Sequence, residues 1–357
     1  MNRLARSQMT PPAPGSDQIA SIIAGRRARH RRHAVATIVL AALVVALFTV
    51  SLMIGNTFYP LDEVVRVMLG QTVPGASFTV GELRLPRAVL AILAGLSFGI
   101  AGVCFQTLLR NPLASPDIIG ISDGAGAAAV LGIIVLSLNG PVVSLLALCG
   151  ALLTAGVIYL LSIKGGFAGT RLILIGIGIA AMLQSVISYT LSRAASWDIQ
   201  TAMQWLTGSL NNASWDRVAP LLIAVAIIVP LMLSQGRGLG ALQLGDDSAS
   251  GLGVRVTATR LLFILGAVAL LAFATAATGP IAFVAFMAGP IAGRITGPGA
   301  NLLLPSAFVG AVLVLAGDLI GQFALGARYP VGVITGVIGA PYLIYLLVRT
   351  NRSGGSL

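Results

Sequence analysis

Ten runs of apolar residues recur along the chain, at about 34–54, 88–109, 119–138, 142–163, 172–192, 218–234, 260–278, 281–296, 302–324 and 331–348. A helix needs roughly 20 apolar residues to cross a bilayer, and in lipid every backbone N–H and C=O has to be satisfied within the protein. Runs of this length therefore predict transmembrane helices joined by short polar connections. The expected architecture is an all-α, polytopic membrane protein with about ten spans in residues 34–349, followed by a short C-terminal tail at 350–357. Residues 1–33 are polar, contain Pro11, Pro12 and Pro14, and close with Arg26, Arg27, Arg29, Arg31 and Arg32. They read as a disordered basic cytoplasmic tail. Paired arginines ahead of an apolar stretch resemble an export signal, but the run to Ile54 is too long for a signal-peptide core and no small-x-small cleavage site follows.

Composition sharpens this picture. Of 357 residues, 57% are hydrophobic and 9% charged, against about 25% charged in a soluble domain, so any soluble machinery has to come from partners. The net charge of +11 would suggest nucleic acid in a soluble chain, but here it follows topology. Sixteen of the 22 Lys and Arg fall in the N-terminal tail or at Arg110, Lys164, Arg171, Arg237, Arg255, Arg260, Arg294, Arg349 and Arg352, all on one side of a ten-span chain. The other side holds Arg66, Arg84, Arg87, Arg193, Arg217 and Arg328. The positive-inside rule then puts both termini in the cytoplasm and the chain in the cytoplasmic (inner) membrane, with lipid and not nucleic acid around it.

The inventory for catalysis is thin. Cys104 and Cys149 lie in apolar runs, His30 and His33 in the tail, and Lys164 is followed by Gly165 where a phosphate-binding Walker loop needs Ser or Thr. No metal site, no nucleophile with its base and no bound ATP can be drawn from these residues. One acid, Asp318, lies within a span, with Gln322 one turn further on the same face. An ionisable group at that depth is costly unless it faces water or a partner. It reads either as a lining residue of a substrate path or as an interhelical hydrogen bond, and Gln106 and Gln184 pose the same alternatives.

Three connections exceed a tight turn: 55–87, 193–217 and 235–259. The second carries Trp197, Trp205 and Trp215 and suits an interfacial helix. In the third, Asp246 and Asp247 stand where an N-cap and a first-turn acid begin a short helix through Ala249, and Gly251 and Gly253 can end it with positive φ. Such a helix outside the membrane is either a docking knob or a solvated connector.

The segments L-R-L-P-R (83–87), Gly102 with Gln106, R-N-P-L-A-S-P-D (110–117, including Asn111 and Pro112), R-L-I-L-I-G-I (171–177), W-L-T-G-S-L (205–210), L-G-D-D-S-A-S-G-L-G-V (244–254), G-P-I-A-F-V (279–284) and P-V-G-V-I-T-G-V-I-G-A-P (330–341), in this order, resemble the FecCD-type permeases of ABC importers. The resemblance covers nearly the whole chain after the tail. It implies the ten-helix type II importer permease fold and a chain that performs no bond chemistry. The partners implied are an identical or related second permease, two cytoplasmic ATP-binding subunits that carry ATP and Mg, and a substrate-binding protein on the outside. Gly245, Asp246, Asp247, Ala249, Gly251, Leu252 and Gly253 would couple to the ATPases. Arg84 and Arg87 would meet glutamates of the binding protein, with Arg328 standing in for an arginine the family often has where this chain has Gln322. Gln106, Asn111, Pro112, Asp318 and Gln322 fall to the path or its packing. Ile291 replaces the family's usual His or Gln. The forms of the 110–117 and 242–249 segments look closer to the ferric siderophore branch than to the cobalamin branch; haem and cobalamin are the alternatives within the family. An ion-coupled secondary transporter and a membrane-embedded enzyme are the rivals from other classes.

Overall fold

The structure, a computed structural model, describes residues 16–162, 169–297, 299 and 301–352. Residues 1–15, Lys164 and the tail beyond 352 lie outside the described residues. Each apolar run forms a helix, and among the described residues there is no strand. In chain order the helices are α1 (Ser16–Met53), α2 (Leu61–Met68), a wide π-type helix (Ser77–Arg84) that runs into α3 (Leu85–Leu108), a 3-10 turn (Pro116–Ile119), α4 (Ile121–Ile134), α5 (Gly140–Ser162) and α6 (Gly169–Ser192). There follow α7 (Ser196–Leu206), α8 (Trp215–Ser234), α9 (Gly236–Leu242), α10 (Asp246–Gly251), α11 (Val256–Thr278), α12 (Val284–Thr296), α13 (Leu303–Phe323) and α14 (Val331–Arg352).

Among the described residues eight helices are long and apolar enough to cross a membrane. The remaining two expected spans, 119–138 and 281–296, are shorter apolar helices, α4 and α12. Their 14 and 13 residues reach only about 20 Å at 1.5 Å per residue. The backbone shows why. Gly120 (φ 85°) breaks the chain ahead of α4 and Ser137 (φ 51°) follows it, while Phe283 (φ 63°) and Gly297 (φ 87°) bound α12. Apolar composition counts residues and does not register these left-handed breaks.

The N-terminal tail also differs from expectation. From Ser16 onward it is helix, continuous with the first span. Adding turns to an existing helix requires no new nucleus, and residues 16–33 are rich in arginine, isoleucine and alanine, with Gly25 as the single glycine.

At the centre stands α3, buried along most of its length between α11, α12 and α13. Between membrane helices lipid supplies no hydrophobic drive, so association rests on close packing, which small residues allow. Gly95, Gly99 and Gly102 put the α3 backbone directly against α13 and α12: a Cβ at Gly99 would run into the Ser306 carbonyl, and one at Gly102 into that of Ala285. Around this spine Phe98, Phe263, Leu270 and Leu271 are fully buried. By contrast α6 is exposed on most of its surface. Of the three tryptophans, Trp197 in α7 and Trp215 at the start of α8 are exposed, while Trp205 in α7 packs on the core.

Candidate functional site

The bundle has two ends that carry polar chemistry. One, here called the basic end, holds the Arg26–His33 segment of α1, α9, α10 and the α12–α13 connection; the other is the opposite end.

At the basic end, α10 forms where the Asp-Asp pair stands, but one residue out of the expected register. Gly245 (φ 107°) precedes the helix, both acids lie in its first turn, and Gly253 (φ 82°) supplies the exit while Gly251 remains helical. The first-turn acids oppose the positive end of the helix dipole. Ala249 is fully buried, whereas Leu244 and Leu252 on either side are each 66% exposed. Asp246 holds the element in place: both of its oxygens accept from Arg260 Nη2 at 2.8 and 2.9 Å, and Arg110 Nη2 lies 3.4 Å from Oδ1. Arg110, itself at φ 51°, also donates to the Leu242 carbonyl at 3.0 Å. Thus α10 is tied both to α11 and to the segment that follows α3. In the sequence Arg260 stands out only as a topology marker and Arg110 as that and the first residue of the 110–117 segment; neither is marked as a partner of Asp246.

At the end of α3, a cavity of about 370 Å³ gathers Gln106, Arg110, Asn111, Pro112, Gln243, Gly289 and Pro290. Gln106 Nε2 donates to the Phe286 carbonyl at 3.0 Å, Asn111 Oδ1 caps the Leu113 N–H at 2.9 Å, and Gln106 fills the space that a side chain at Gly289 would need. Ile291 packs among Leu40, Ala292, Val309 and Phe308, an apolar setting for a position where a polar side chain was expected. The neighbouring Arg294 lies over the Tyr345 ring at 4.8 Å.

Close by, Ser115 accepts from the Asp117 N–H and caps the 3-10 turn. Ser122 donates to Asp117 at 2.8 Å. Burial pushes the Asp117 carboxyl above its ordinary range, and the hydrogen bonds from Ser122 and Ser115 pull the other way. Asp117 and Asp123, the latter bonded by Gln184, line a cavity of about 300 Å³ with Phe283, Phe286 and Leu343.

At the opposite end Asp318 is 3% exposed and receives a two-pronged Arg87 contact, Nε to Oδ2 at 2.9 Å and Nη2 to Oδ1 at 2.7 Å. Gln322 adds a third bond at 2.6 Å, and Arg87 reaches on to Asn211 Oδ1 at 3.0 Å. Bidentate pairing of this kind is the strong form of the arginine–carboxylate contact. Arg84 serves α1: its guanidinium donates to the carbonyls of Leu52, Met53 and Thr57, where the helix leaves its last carbonyls without partners, and lies 5.0 Å over the Tyr59 ring. Arg328 donates to Asn56 at 3.0 Å. One cavity of about 450 Å³ brings Arg84, Arg87, Gln322 and Arg328 together. Three arginines and one neutralising carboxylate leave this mouth cationic.

The Gly/Pro segments at 205–210, 279–284 and 330–341 meet in space. Gly208 faces the Pro280 carbonyl, Gly332 the Thr207 carbonyl and Gly279 that of Trp205, with Ser209 N–H bonded to Thr278 O at 2.7 Å and Gly332 N–H to Gly208 O at 3.1 Å.

The ferric enterobactin transport system permease protein FepG of Escherichia coli (strain K12) is 38% identical over 295 residues, 82% of this chain and 88% of that protein. The Fe(3+)-citrate import system permease protein YfmE of Bacillus subtilis (strain 168) is 36% identical over 323 residues, 89% and 96% of the two chains. A solved metal-chelate type ABC transporter in an inward-facing conformation superposes with a TM-score of 0.77 at 25% identity, covering 87% of this chain and 98% of that one. The model of the FecCD transport family matches residues 42–349, and with relatives of this similarity along most of its length the chain belongs to the FecCD transport family.

Proposed function

We propose that this chain is the permease subunit of an ATP-driven importer that moves a ferric siderophore across the cytoplasmic membrane, with both termini in the cytoplasm. The observation that carries the reading is α10: a short helix outside the bundle, braced by Asp246 to two other segments, with exposed leucines at both ends. Force applied there by a partner reaches α11 and the end of α3 through charged hydrogen bonds. ATP and Mg belong to two separate ATP-binding subunits that grip this element; the permease itself holds no cofactor. The cationic mouth at the opposite end suits a substrate-binding protein with acidic lobes, and of its arginines Arg328 has the least internal commitment.

The second permease, identical or related, covers α6. That helix exposes Ser188 and Tyr189 beside Gln184, which bonds Asp123, a polar surface that a shared water-filled path suits better than lipid does. The names of the relatives support iron chelates as cargo. A conformational change follows only if the ATPase grips two states differently.

The test is uptake of radiolabelled ferric siderophores, haem and cobalamin by cells deleted for this chain and rescued with wild type or Gly251→Pro. Ferric-siderophore uptake should return with the wild type alone, while both proteins reach the membrane in equal amount. Rescue by Gly251→Pro would remove the coupling role of α10. Loss of cobalamin or haem uptake with intact siderophore uptake would reassign the cargo.

A further inference from the structure

The basic segment of α1 takes part in neither surface described above. Arg26, Arg29, His30 and His33 fall at i, i+3, i+4 and i+7 and so share one helix face. The same stripe continues through Leu40 and Val44, which are buried against the bundle. The face is pinned at its membrane end: Arg32 donates to the carbonyls of Ile295 and Arg294 at 3.2 and 3.1 Å, and the His33 ring N–H to that of Asn301 at 3.0 Å. Beyond this point the helix and the α12–α13 connection flank a cavity of about 680 Å³ to which α1 contributes Arg26, Arg29, His30 and His33, facing Thr296 and Asn301, with no carboxylate among the described residues of its wall.

Its depth is informative. The apolar run starts at Ala34, so at 1.5 Å per residue Arg29 to His33 lie within roughly 8 Å of the hydrocarbon edge, the thickness of a headgroup layer. Val35, Ile38 and Val39, further along α1 on its opposite face, are 52%, 67% and 59% exposed and mark the level at which the helix meets lipid. We propose that this cavity is a binding site for the phosphate headgroup of an anionic phospholipid, held by Arg29 and the two imidazoles, with Arg26 reaching in from roughly one turn further out. Basic clusters at the end of a membrane helix attract anionic lipid; the wall formed by α12–α13 makes this one a pocket.

The experiment uses the full-length permease in detergent, titrated with dioctanoyl phosphatidylglycerol, dioctanoyl phosphatidylcholine or inorganic phosphate and read by native mass spectrometry. Phosphatidylglycerol should saturate one site per chain, and R26Q/R29Q should weaken it about thirtyfold, whereas R27Q/R31Q, equal in charge but on another face, should change it less than threefold. If the first pair does not fold, R29Q alone should cost about fivefold. Equal losses in both pairs would overturn the site in favour of diffuse charge. Competition by millimolar phosphate would assign it to a soluble anion. Unchanged lipid affinity in R26Q/R29Q, with weaker co-purification of the ATP-binding subunit, would make it a protein contact instead.

Discussion

A carboxylate inside a helix of this bundle is tolerable only with its charge answered, and Asp318 takes three hydrogen bonds from Arg87 and Gln322. Removing one member of a buried pair leaves the other uncompensated, at a cost of about 3–5 kcal/mol. Arg87→Ala should therefore lower the melting temperature of the purified permease sharply, and Arg87→Ala/Asp318→Ala should recover much of that loss. A double variant no more stable than the single one would mean that the pair is not what holds α3 to α13 at that end. The sequence set Asp318 and Gln322 on one face and even offered an interhelical bond, but Arg87 stood apart from them: it and Asp318 are 231 positions apart, and apolar periodicity does not say which spans are neighbours. Asp117 was quoted within a motif without a role, because nothing in the spacing reveals burial. Its raised pKa means that the folded chain binds a proton the unfolded chain has already lost, so stability falls as pH rises from the ordinary carboxylate range through the raised value. Asp117→Asn keeps an acceptor for Ser122 and removes the desolvated charge. Its melting temperature should match or exceed that of the wild type at pH 7.5, and the wild type's gain on acidification should shrink in the variant.

At the scale of elements, contacts between backbones dominate. Because α3 presents Gly95, Gly99 and Gly102 to α13 and α12, even one methyl group has no room, and overpacking of this kind costs about 1–3 kcal/mol or more. Gly99→Ala should lower the yield of folded permease and its melting temperature by several degrees. Gly156→Ala in α5, where an added Cβ meets nothing within 4 Å, should be neutral or mildly stabilising; equal effects at both positions would refute close packing as the cause. Helix positions were legible to within a few residues, since bilayer thickness imposes a length that composition records. The breaks at Gly120 and Phe283, the π-type entry into α3 and the helical start of α1 were not, because each depends on what the segment packs against. The family segments of Gly and Pro were readable as strings, and the structure supplies their physical meaning as places where chains cross without side chains between them.

For the whole molecule, the distribution of burial is uneven: α3, α11 and α13 are enclosed, while α6 stands nearly bare. If a second permease covers α6, then with Cys104 and Cys149 replaced by serine, a cysteine at Met182 or Tyr189 should give a covalent dimer under mild oxidation. A cysteine at Ile227 on α8 should not. Crosslinking through α8 alone would move the partner to the other flank. The glycine-lined contact between α3 and α13 has a mechanical consequence of its own. Where two backbones touch, there is no compressible layer of side chains to absorb a sliding motion, and with Arg87 and Asp318 clasped at one end the two helices form a single strut. Any opening and closing of a path has to be borne by joints elsewhere, at the left-handed residues flanking α4 and α12 and along the loosely held α6, which assigns the stator of this machine to its centre and the moving parts to its rim.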